Sequence, residues 1–469
     1  MLFNSFQYWI FFLIVVTLFY SVPFRIGKLL LLGASYVFYM WWDPRFIVLI
    51  LTSTVVDYFL GIFLERAAGY RKKLLLVVSL VVNLGILGFF KYYDFFAGSL
   101  AALLHVSESS LVLRIILPVG VSFYTFASLS YTIDVYWGKM KAVRNLIDYA
   151  FFIAFFPHLI AGPIIRARQF ISQIQFWQRP TTIMVQSGII LVLSGLIKKM
   201  VFADRFAAVS DTYFNHPSAH PGWLAAWSGC IAFSMQVFFD FSGYTDIARG
   251  CAKLLGFEFP LNFARPLLSR NPRDFWRRWH MTLSAWVRDY LFIPLGGARK
   301  GPLVLYRNLM VVMVLVGLWH GASWTFVVWG TYQGILLVGY RLFNQVTAGT
   351  AISRLMNKRY FEPLSVALMF TSFVIGMPFV RAKTLQASGY VLSGLFGFQH
   401  VTGEFLLTTG TIVLIFISLF LAVAQECTQF IDRLALQPAR IQVPAYVCAF
   451  LALELFPATG QVPFVYFQF

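Results

Sequence analysis

Charged residues are scarce in this chain: only 12% of its 469 residues are Asp, Glu, Lys or Arg, whereas 59% are hydrophobic. Together with a mean hydropathy of +0.73, this composition excludes an ordinary soluble globular protein. The chain has repeated apolar runs long enough to cross a bilayer, whose hydrocarbon core needs about 20 helical residues. Because backbone polar groups in lipid must be hydrogen-bonded within the protein, we predict an all-α polytopic membrane protein.

Cysteine and acidic residues are also few. No CxxC pair occurs among Cys230, Cys251, Cys427 and Cys448, so we expect small core residues and neither disulfides nor metal ligands. The N-terminal run FQYWIFFLIVVTLFYSVPF lacks a basic flank and an A-x-A cleavage site, which predicts a retained first helix. The positive-inside rule explains most of the net charge of +18, and we expect no nucleic-acid partner.

Candidate membrane spans lie near residues 7–22, 29–43, 46–64, 74–90, 112–133, 222–240, 303–343 (two spans), 363–380, 408–425 and 441–456. If the N-terminus is periplasmic, three basic clusters agree on a cytoplasmic position. These clusters are Arg25 with Lys28, then Arg66 with Arg71, Lys72 and Lys73, and then Lys139 with Lys141 and Arg144.

Two segments in the middle third break this alternation. FFPHLIAGPIIR has Pro and Gly inside an apolar run, and SGLIKKMVFADR contains Lys198 and Lys199. We predict that both are re-entrant or interfacial and that this region lines a cavity, because broken helices at membrane depth must be shielded from lipid. Without a fixed-period repeat or a long polar linker, residues 1–469 are predicted to form one domain.

The segment RNPRDFWRRWHMTLSAWVRDY, residues 270–290, is strongly basic and aromatic. From Arg265 to Lys300 there are eight basic residues against two acidic ones, a net charge of +6. Because each ionised group near the bilayer centre costs roughly 3 kcal/mol, we predict that this segment does not span. Helical spacing would place His280 on one face with Trp276, Arg277 and Ser284.

Two interpretations of the basic segment stay open. It is either an interfacial amphipathic helix that binds anionic lipid headgroups or the mouth of a site for a polyanion. Guanidinium groups bind phosphate bidentately, so the polyanion could be a cofactor with a pyrophosphate or an acidic carrier protein.

His320 is the only side chain between Leu309 and Leu337 that titrates near neutral pH. A continuous helix over this run would be about 44 Å long, which predicts a break at Gly317 or Gly321. An ionisable residue at membrane depth indicates a functional site, although a neutral histidine can also hydrogen-bond a carbonyl between helices. Its pKa class suits general acid or base catalysis.

Other polar residues give weaker signals. Ser284 and Ser323 lie one turn from the two histidines, but no GxSxG motif is present. Asp240 and Asp246 fall on different helical faces, and either line a bent cavity or bond neighbouring helices. The remaining histidines are scattered and HExxH is absent, so we expect no metal.

The segments FFPHLIAGPIIR, FDFSGYTDIARG, DFWRRWHMTLSAWVRDYLFIPLGG and GLWHGASWTFVVWG occur in this order. With them the chain resembles the membrane-bound O-acyltransferase family over about residues 1–345, most closely its bacterial members that O-acetylate alginate or cellulose. The resemblance implies a ring of roughly 11 to 13 tilted spans, with re-entrant or interfacial helices, around a central tunnel. Helices over 350–469 would complete the chain.

The resemblance also implies roles for single residues. His320 in LWHG would be the catalytic histidine, and His280 in RRWH the second active-site position, which positions the thioester or stabilises the oxyanion. The predicted substrate- and donor-binding residues around them are Arg273, Arg277, Arg278, Trp276, Ser284, Asp240, Asp246, Trp319 and Ser323.

The reaction implied is acetyl transfer without a bound cofactor. The donor substrate would be acetyl-CoA or an acyl carrier thioester in the cytoplasm. The acceptor would be a periplasmic sugar hydroxyl or a partner acetyltransferase within the polysaccharide-synthesis machinery, and the location the bacterial inner membrane. The alternatives are a proton-coupled transporter or flippase for an acyl or polysaccharide precursor, which also needs a cavity and an intramembrane histidine, and a scaffold that recruits a periplasmic acetyltransferase.

Overall fold

The computed structural model describes residues 1–107, 111–356, 358–456 and 464–465, except for the side chains of residues 426–428 and 430. All regular elements in these described residues are helical, which confirms the all-α class. The first ten α-helices are α1 (Phe6–Tyr20), α2 (Phe24–Met40), α3 (Ile47–Arg66), α4 (Gly69–Leu87), α5 (Tyr93–Leu104), α6 (Val121–Tyr136), α7 (Leu146–Ala154), α8 (Phe156–Leu159), α9 (Ala167–Gln175) and α10 (Thr182–Ile197).

The second half of the chain continues the same pattern of long and short helices. Its α-helices are α11 (Asp204–Asn215), α12 (Trp223–Leu254), α13 (Pro272–Arg278), α14 (Met281–Val287), α15 (Pro302–His320), α16 (Trp324–Thr347), α17 (Ala351–Met356), α18 (Glu362–Arg381), α19 (Leu385–Leu395), α20 (Thr409–Thr428), α21 (Phe430–Leu434) and α22 (Ala439–Leu455). π-helical segments occupy Gly88–Tyr92, Lys198–Ala203 and Arg288–Phe292, and 3₁₀ turns occupy Pro44–Phe46, Pro217–Ala219, Pro266–Leu268 and Arg359–Phe361.

Six helices in the described part of the chain are both long and apolar enough to cross a membrane. They are Pro44–Arg66, Gly69–Leu104, Thr182–Asn215, Trp223–Leu254, Pro302–His320 and Arg359–Arg381, and two shorter apolar helices are Phe6–Tyr20 and Thr409–Gln425. These helices support a multi-pass membrane protein. The larger count of 11 to 13 spans, and their arrangement around a tunnel, remain predictions.

The chain divides into two compact units. Unit 1 comprises Met1–Val192 with Ile247–Pro260, and unit 2 comprises Leu193–Asp246 with Leu261–Phe469. Helices α10 and α12 contribute residues to both.

In unit 1, the three basic clusters meet at one end of the helices. Lys28 forms an ion pair with Asp148, and Arg144 forms one with Glu65. The Lys72 ammonium lies 5.5 Å from the ring centroid of Tyr136, at the end of α6. These contacts join the clusters at residues 25–28, 66–73 and 139–144 in one region. Which side of the membrane this end faces remains a prediction.

Two predictions about unit 1 have different outcomes. The span expected at 112–133 is wrong in its first half, because residues 112–120 are not helical and α6 starts only at Val121, after Gly120 with a φ of +78°. The segment FFPHLIAGPIIR is broken as predicted: α7 ends at Ala154, the four-residue α8 follows, and residues 160–166 are non-helical but buried.

The prediction for SGLIKKMVFADR is wrong. This segment is neither re-entrant nor broken, because it lies inside one continuous helix, Thr182–Asn215. The helix accommodates Lys198 and Lys199 in a π-helical turn. Both lysines form ion pairs with carboxylates of unit 2, so their charges are balanced within the protein.

In unit 2, the apolar run 309–337 forms two helices, and the predicted break falls at Gly321. Helices α15 and α16 pack closely because glycines face each other across the pair. A Cβ atom at Gly317 would lie 3.0 Å from the Cα of Gly330, and a Cβ at Gly330 would lie 3.0 Å from the Cα of Val314. Small residues permit this approach between membrane helices, and it fixes the end of α15, where His320 lies.

Candidate active site

His320 is the last residue of α15, next to the break in the helix. Gly321 has an extended backbone (φ −156°, ψ 139°), and its N–H still donates to Gly317 O at 3.2 Å. The imidazole is half-buried. Its ring centroid lies 4.8 Å from that of Trp319 and 5.1 Å from that of Trp329, with the Trp329 ring nearly perpendicular at 84°. The two indoles therefore restrict the orientation of the imidazole.

His320 lines a cavity of about 40 Å³ within unit 2. Asp240, Phe241, Trp279 and Trp329 are among the other lining residues. The wall is thus mostly apolar, and its polar groups are a histidine and a carboxylate. This space is large enough to hold water, so the His320 imidazole is not enclosed by close-packed side chains on every side.

The predicted helical face around His280 is wrong. Helix α13 ends at Arg278, α14 begins at Met281, and His280 lies at the junction with a left-handed backbone (φ 41°, ψ 53°). Few residues other than glycine adopt this conformation. The i±3 and i±4 neighbours predicted from a continuous helix therefore do not share a face with this imidazole.

Asn262 holds the buried His280 ring in one tautomer. Asn262 Oδ1 accepts hydrogen bonds from the backbone N–H and the hydroxyl of Thr282, at 3.1 and 2.8 Å. The same oxygen lies 3.1 Å from His280 Nδ1. Because a carbonyl oxygen only accepts, Nδ1 must carry the proton, and Nε2 of the neutral ring presents a lone pair. Within the described residues, this Nε2 has no hydrogen-bond partner.

Burial lowers the pKa of His280 well below its ordinary value, and repulsion from a charge on His320 lowers it further. His280 is thus neutral at physiological pH. The two histidines are neighbours on either side of Trp319, whose ring centroid lies 6.0 Å from that of His280. Phe241 joins His280 to the cavity, since its ring is 4.8 Å from the imidazole and also lines the cavity.

The arginines of α13 differ in their contacts. Arg278 Nε donates to Asp274 Oδ1 at 3.1 Å, one turn earlier on the helix. Arg273 and Arg277 are exposed, and in the part of the chain that the structure describes neither forms an ion pair or a hydrogen bond. Their i, i+4 spacing places both guanidinium groups on one face. Two of the three predicted cations are thus available to an anionic ligand.

The other predicted site residues divide into two groups. Trp276 and Trp319 belong to the aromatic surroundings of His320, because Trp276 lies 6.2 Å from Trp329 between ring centroids and Trp319 directly contacts the histidine. The two serines bond locally instead. Ser284 Oγ donates to Trp279 O at 3.4 Å, and Ser323 Oγ lies 2.7 Å from Thr325 Oγ1.

The two predicted aspartates of α12 differ in their surroundings. Asp240 lines the His320 cavity and forms an ion pair with Lys199 at 2.7 Å, whereas Asp246 accepts from Lys198 at 2.6 Å. Sequence reasoning noted the charge of Lys199 but did not place it in the site. The available signal was an ionisable residue within an apolar run. Among the described residues, no three His, Cys, Asp or Glu side chains are grouped as metal ligands would be.

Comparisons with known proteins identify the family of the chain. Residues 139–381, which include α13 to α16, match the sequence model of MBOAT, the membrane-bound O-acyltransferase family. A probable alginate O-acetylase of Pseudomonas putida is 41% identical over 82% of this chain and 78% of its own length. A peptidoglycan O-acetyltransferase of Helicobacter pylori is 33% identical over 80% and 75%. A teichoic acid D-alanyltransferase of Bacillus subtilis is 31% identical over 48% and 60%.

Proposed function

The chain belongs to the membrane-bound O-acyltransferase family, and from that premise we propose that it passes an acetyl group from a cytoplasmic thioester to a hydroxyl group across the membrane. It is a multi-pass membrane acyltransferase, and this class favours acetyl transfer over the transporter alternative. The acceptor we propose is an exopolysaccharide hydroxyl of the alginate type, reached directly or through a periplasmic partner acetyltransferase. The proposed location is the bacterial inner membrane.

The observation that carries this proposal is the half-buried His320 at the break between α15 and α16, in the wall of a cavity. As general base, His320 takes the proton of the acceptor hydroxyl while the hydroxyl oxygen attacks the thioester carbonyl carbon. The new C–O bond forms, the C–S bond breaks, and the proton passes from His320 to the departing thiolate. The reaction is balanced without a metal or a further reactant.

The tautomer of His280 supports the positioning role over the oxyanion role. Its Nδ1 proton is directed to Asn262, so the neutral ring offers only the Nε2 lone pair. An oxyanion is stabilised by a hydrogen-bond donor, which the Nε2 lone pair is not. A lone pair instead accepts a hydrogen bond from an amide N–H, such as those in the pantetheine arm of acetyl-CoA or of a carrier protein. We assign His280 to holding the donor in this way.

The arginines of α13 support binding of a polyanionic donor. Arg273 and Arg277 are exposed on one helical face and remain available for phosphate. Replacing both by Ala should raise the KM for acetyl-CoA, or for an acyl carrier thioester, and change kcat little. Arg354→Ala on α17 is the matched control, because Arg354 is equally exposed. An unchanged KM for either donor would assign the pair to lipid headgroups instead.

The decisive test is His320→Ala in purified protein with labelled acetyl donor, combined with mass analysis of the exopolymer from cells. Loss of a general base lowers the rate by about 10²- to 10⁴-fold, while membrane insertion should be unchanged. His216→Ala is the matched control, since His216 is exposed. Undiminished acetylation by the His320 variant would contradict the proposed function, and transport of substrate without acetyl transfer would favour the transporter.

A further inference from the structure

A lysine ammonium is buried in unit 2 between two carboxylates. Lys199 Nζ lies 2.7 Å from Asp240 Oδ1 and 2.8 Å from Asp204 Oδ1, and the three side chains are only 1–4% exposed. With all three groups ionised, this triad has a net charge of −1. A buried ion pair alone is weak evidence for stability, so the excess negative charge calls for another explanation.

The excess charge lies at the cavity that His320 lines. Asp240 is the carboxylate in the wall of the cavity that His320 also lines. Its second oxygen, Oδ2, accepts the backbone N–H of Val465 at 2.6 Å, and Val465 lines the same cavity. Asp240 is therefore fixed at both oxygens, and its charge is held in one position relative to the cavity.

The backbone conformation around Lys199 brings its side chain close to Asp240. Lys199 lies in the π-helical segment Lys198–Ala203, and single π-helical turns are frequent at functional sites. Opposite it, α12 has Gly243, where a Cβ atom would lie 2.8 Å from Gly195 O and 3.3 Å from Lys199 N. The missing side chain thus lets the two helices approach closely at this turn.

We propose that Lys199, together with Asp204, is a positioning residue that keeps Asp240 ionised in the cavity wall, where its negative charge stabilises the imidazolium formed as His320 takes the acceptor proton. This inference rests on the proposed function. Without the ammonium, both carboxylates would be buried without a cation, and a buried carboxylate in that setting takes up a proton. Asp240 would then lose its charge, and the transition state would lose its counter-ion.

The adjacent residue offers a matched control. Lys198 also forms an ion pair between the same two helices, with Asp246 at 2.6 Å, but this pair is less buried (26% and 14% exposed) and neither residue lines the cavity. If these lysines only join helices, Lys198→Met and Lys199→Met should lower the unfolding midpoint, Lys199→Met by more because its ion pairs are more buried, and should not differ in kcat. If Lys199 acts through Asp240, only Lys199→Met should lower the rate of acetyl transfer.

The experiment measures kcat and KM for acetyl-CoA, or for an acyl carrier thioester, together with the unfolding midpoint in detergent. We expect Lys199→Met to lower kcat on the order of 10- to 100-fold with KM unchanged. Lys199→Arg, which keeps the positive charge, should retain most of the wild-type kcat. Lys198→Met should keep the wild-type kcat. Equal losses of kcat in the two Met variants, or a wild-type kcat in Lys199→Met, would overturn the inference.

Asp240→Asn decides the question if Lys199→Met does not fold. The amide keeps an oxygen for the Val465 N–H but removes the charge, so we expect the same loss of kcat. A wild-type kcat in Asp240→Asn would overturn the inference. If His320→Ala abolishes transfer while Asp240→Asn remains fully active, only this inference fails, whereas full activity of His320→Ala rejects the proposed function itself.

Discussion

The hydrogen bond between Asn262 and His280 determines what the second histidine can do. Asn262 Oδ1 receives three donors, so it favours the neutral ring with its proton on Nδ1. Since burial lowers the pKa of His280, the folded protein excludes a proton that the unfolded chain binds below about pH 6.5. The contribution of this residue to stability is therefore present at neutral pH and decreases as the pH falls below that value.

Asn262→Asp should reverse the charge preference of His280. The carboxylate keeps an acceptor for Thr282 but attracts a second proton to the imidazole, so the pKa of His280 should rise. Protonation removes the Nε2 lone pair. We expect acetyl transfer to be reduced about 10-fold or more at pH 7 and to recover as the pH is raised, measured as kcat/KM against pH.

Thr282→Val is the control for this change. It removes one donor to Asn262 Oδ1 and adds no charge, so its pH profile should match that of the wild type. A profile for Asn262→Asp that also matches the wild type would contradict the role given to the His280 lone pair.

Sequence reasoning located single residues well where the constraint was local. The length of the apolar run predicted the break beside His320, because a helix longer than the bilayer must end. It failed at His280, because the left-handed junction between α13 and α14 depends on Asn262, which lies 18 residues earlier. It also missed Lys199, because its carboxylate partner Asp240 lies on a different helix.

At the scale of elements, the glycines between α15 and α16 set the position of His320. We expect Gly330→Ala to destabilise the protein by about 1–3 kcal/mol, since the new Cβ would meet backbone atoms, including Met313 O and Val314 Cα. Separation of the helices would displace His320 and reduce acetyl transfer. The measurements are the unfolding midpoint in detergent and kcat.

Gly339→Ala is the control on the same helix. Among the described residues, no atom outside the adjacent turns of the same helix lies within 4 Å of a Cβ built there, and alanine is favoured over glycine in a helix by up to about 1 kcal/mol. This variant should be as stable as the wild type or slightly more stable, with unchanged activity. If both variants had the same stability and activity, helix propensity rather than close packing would determine the effect of replacing glycines in α16.

The length of an apolar run correctly predicted where the helices over residues 309–337 break. The presence of charged residues in an apolar run wrongly predicted a break. The lysines of SGLIKKMVFADR indicated a break because an uncompensated charge at membrane depth is unfavourable. The structure compensates both lysines with aspartates and keeps the helix continuous through a π-helical turn. Such compensation depends on tertiary contacts and cannot be predicted from the spacing of residues along one helix.

At the scale of the whole molecule, charge should decide the orientation in the membrane. The three basic clusters of unit 1 meet at one end, so the positive-inside rule assigns that end to the cytoplasm. The helix Gly69–Leu104 starts at the basic end of unit 1. Asp94 lies roughly 37 Å further along this helix and therefore at the opposite end of unit 1. Leu113 is held there, because its N–H donates to Asp94 Oδ1 at 2.9 Å.

This orientation can be tested by labelling in bacterial spheroplasts with a membrane-impermeant maleimide. Lys141→Cys and Leu113→Cys are both exposed positions, at opposite ends of unit 1, and are introduced singly after all four native cysteines are replaced by alanine. We expect Leu113→Cys to react in intact spheroplasts, and Lys141→Cys to react only after permeabilisation. The reverse pattern would place the basic end outside.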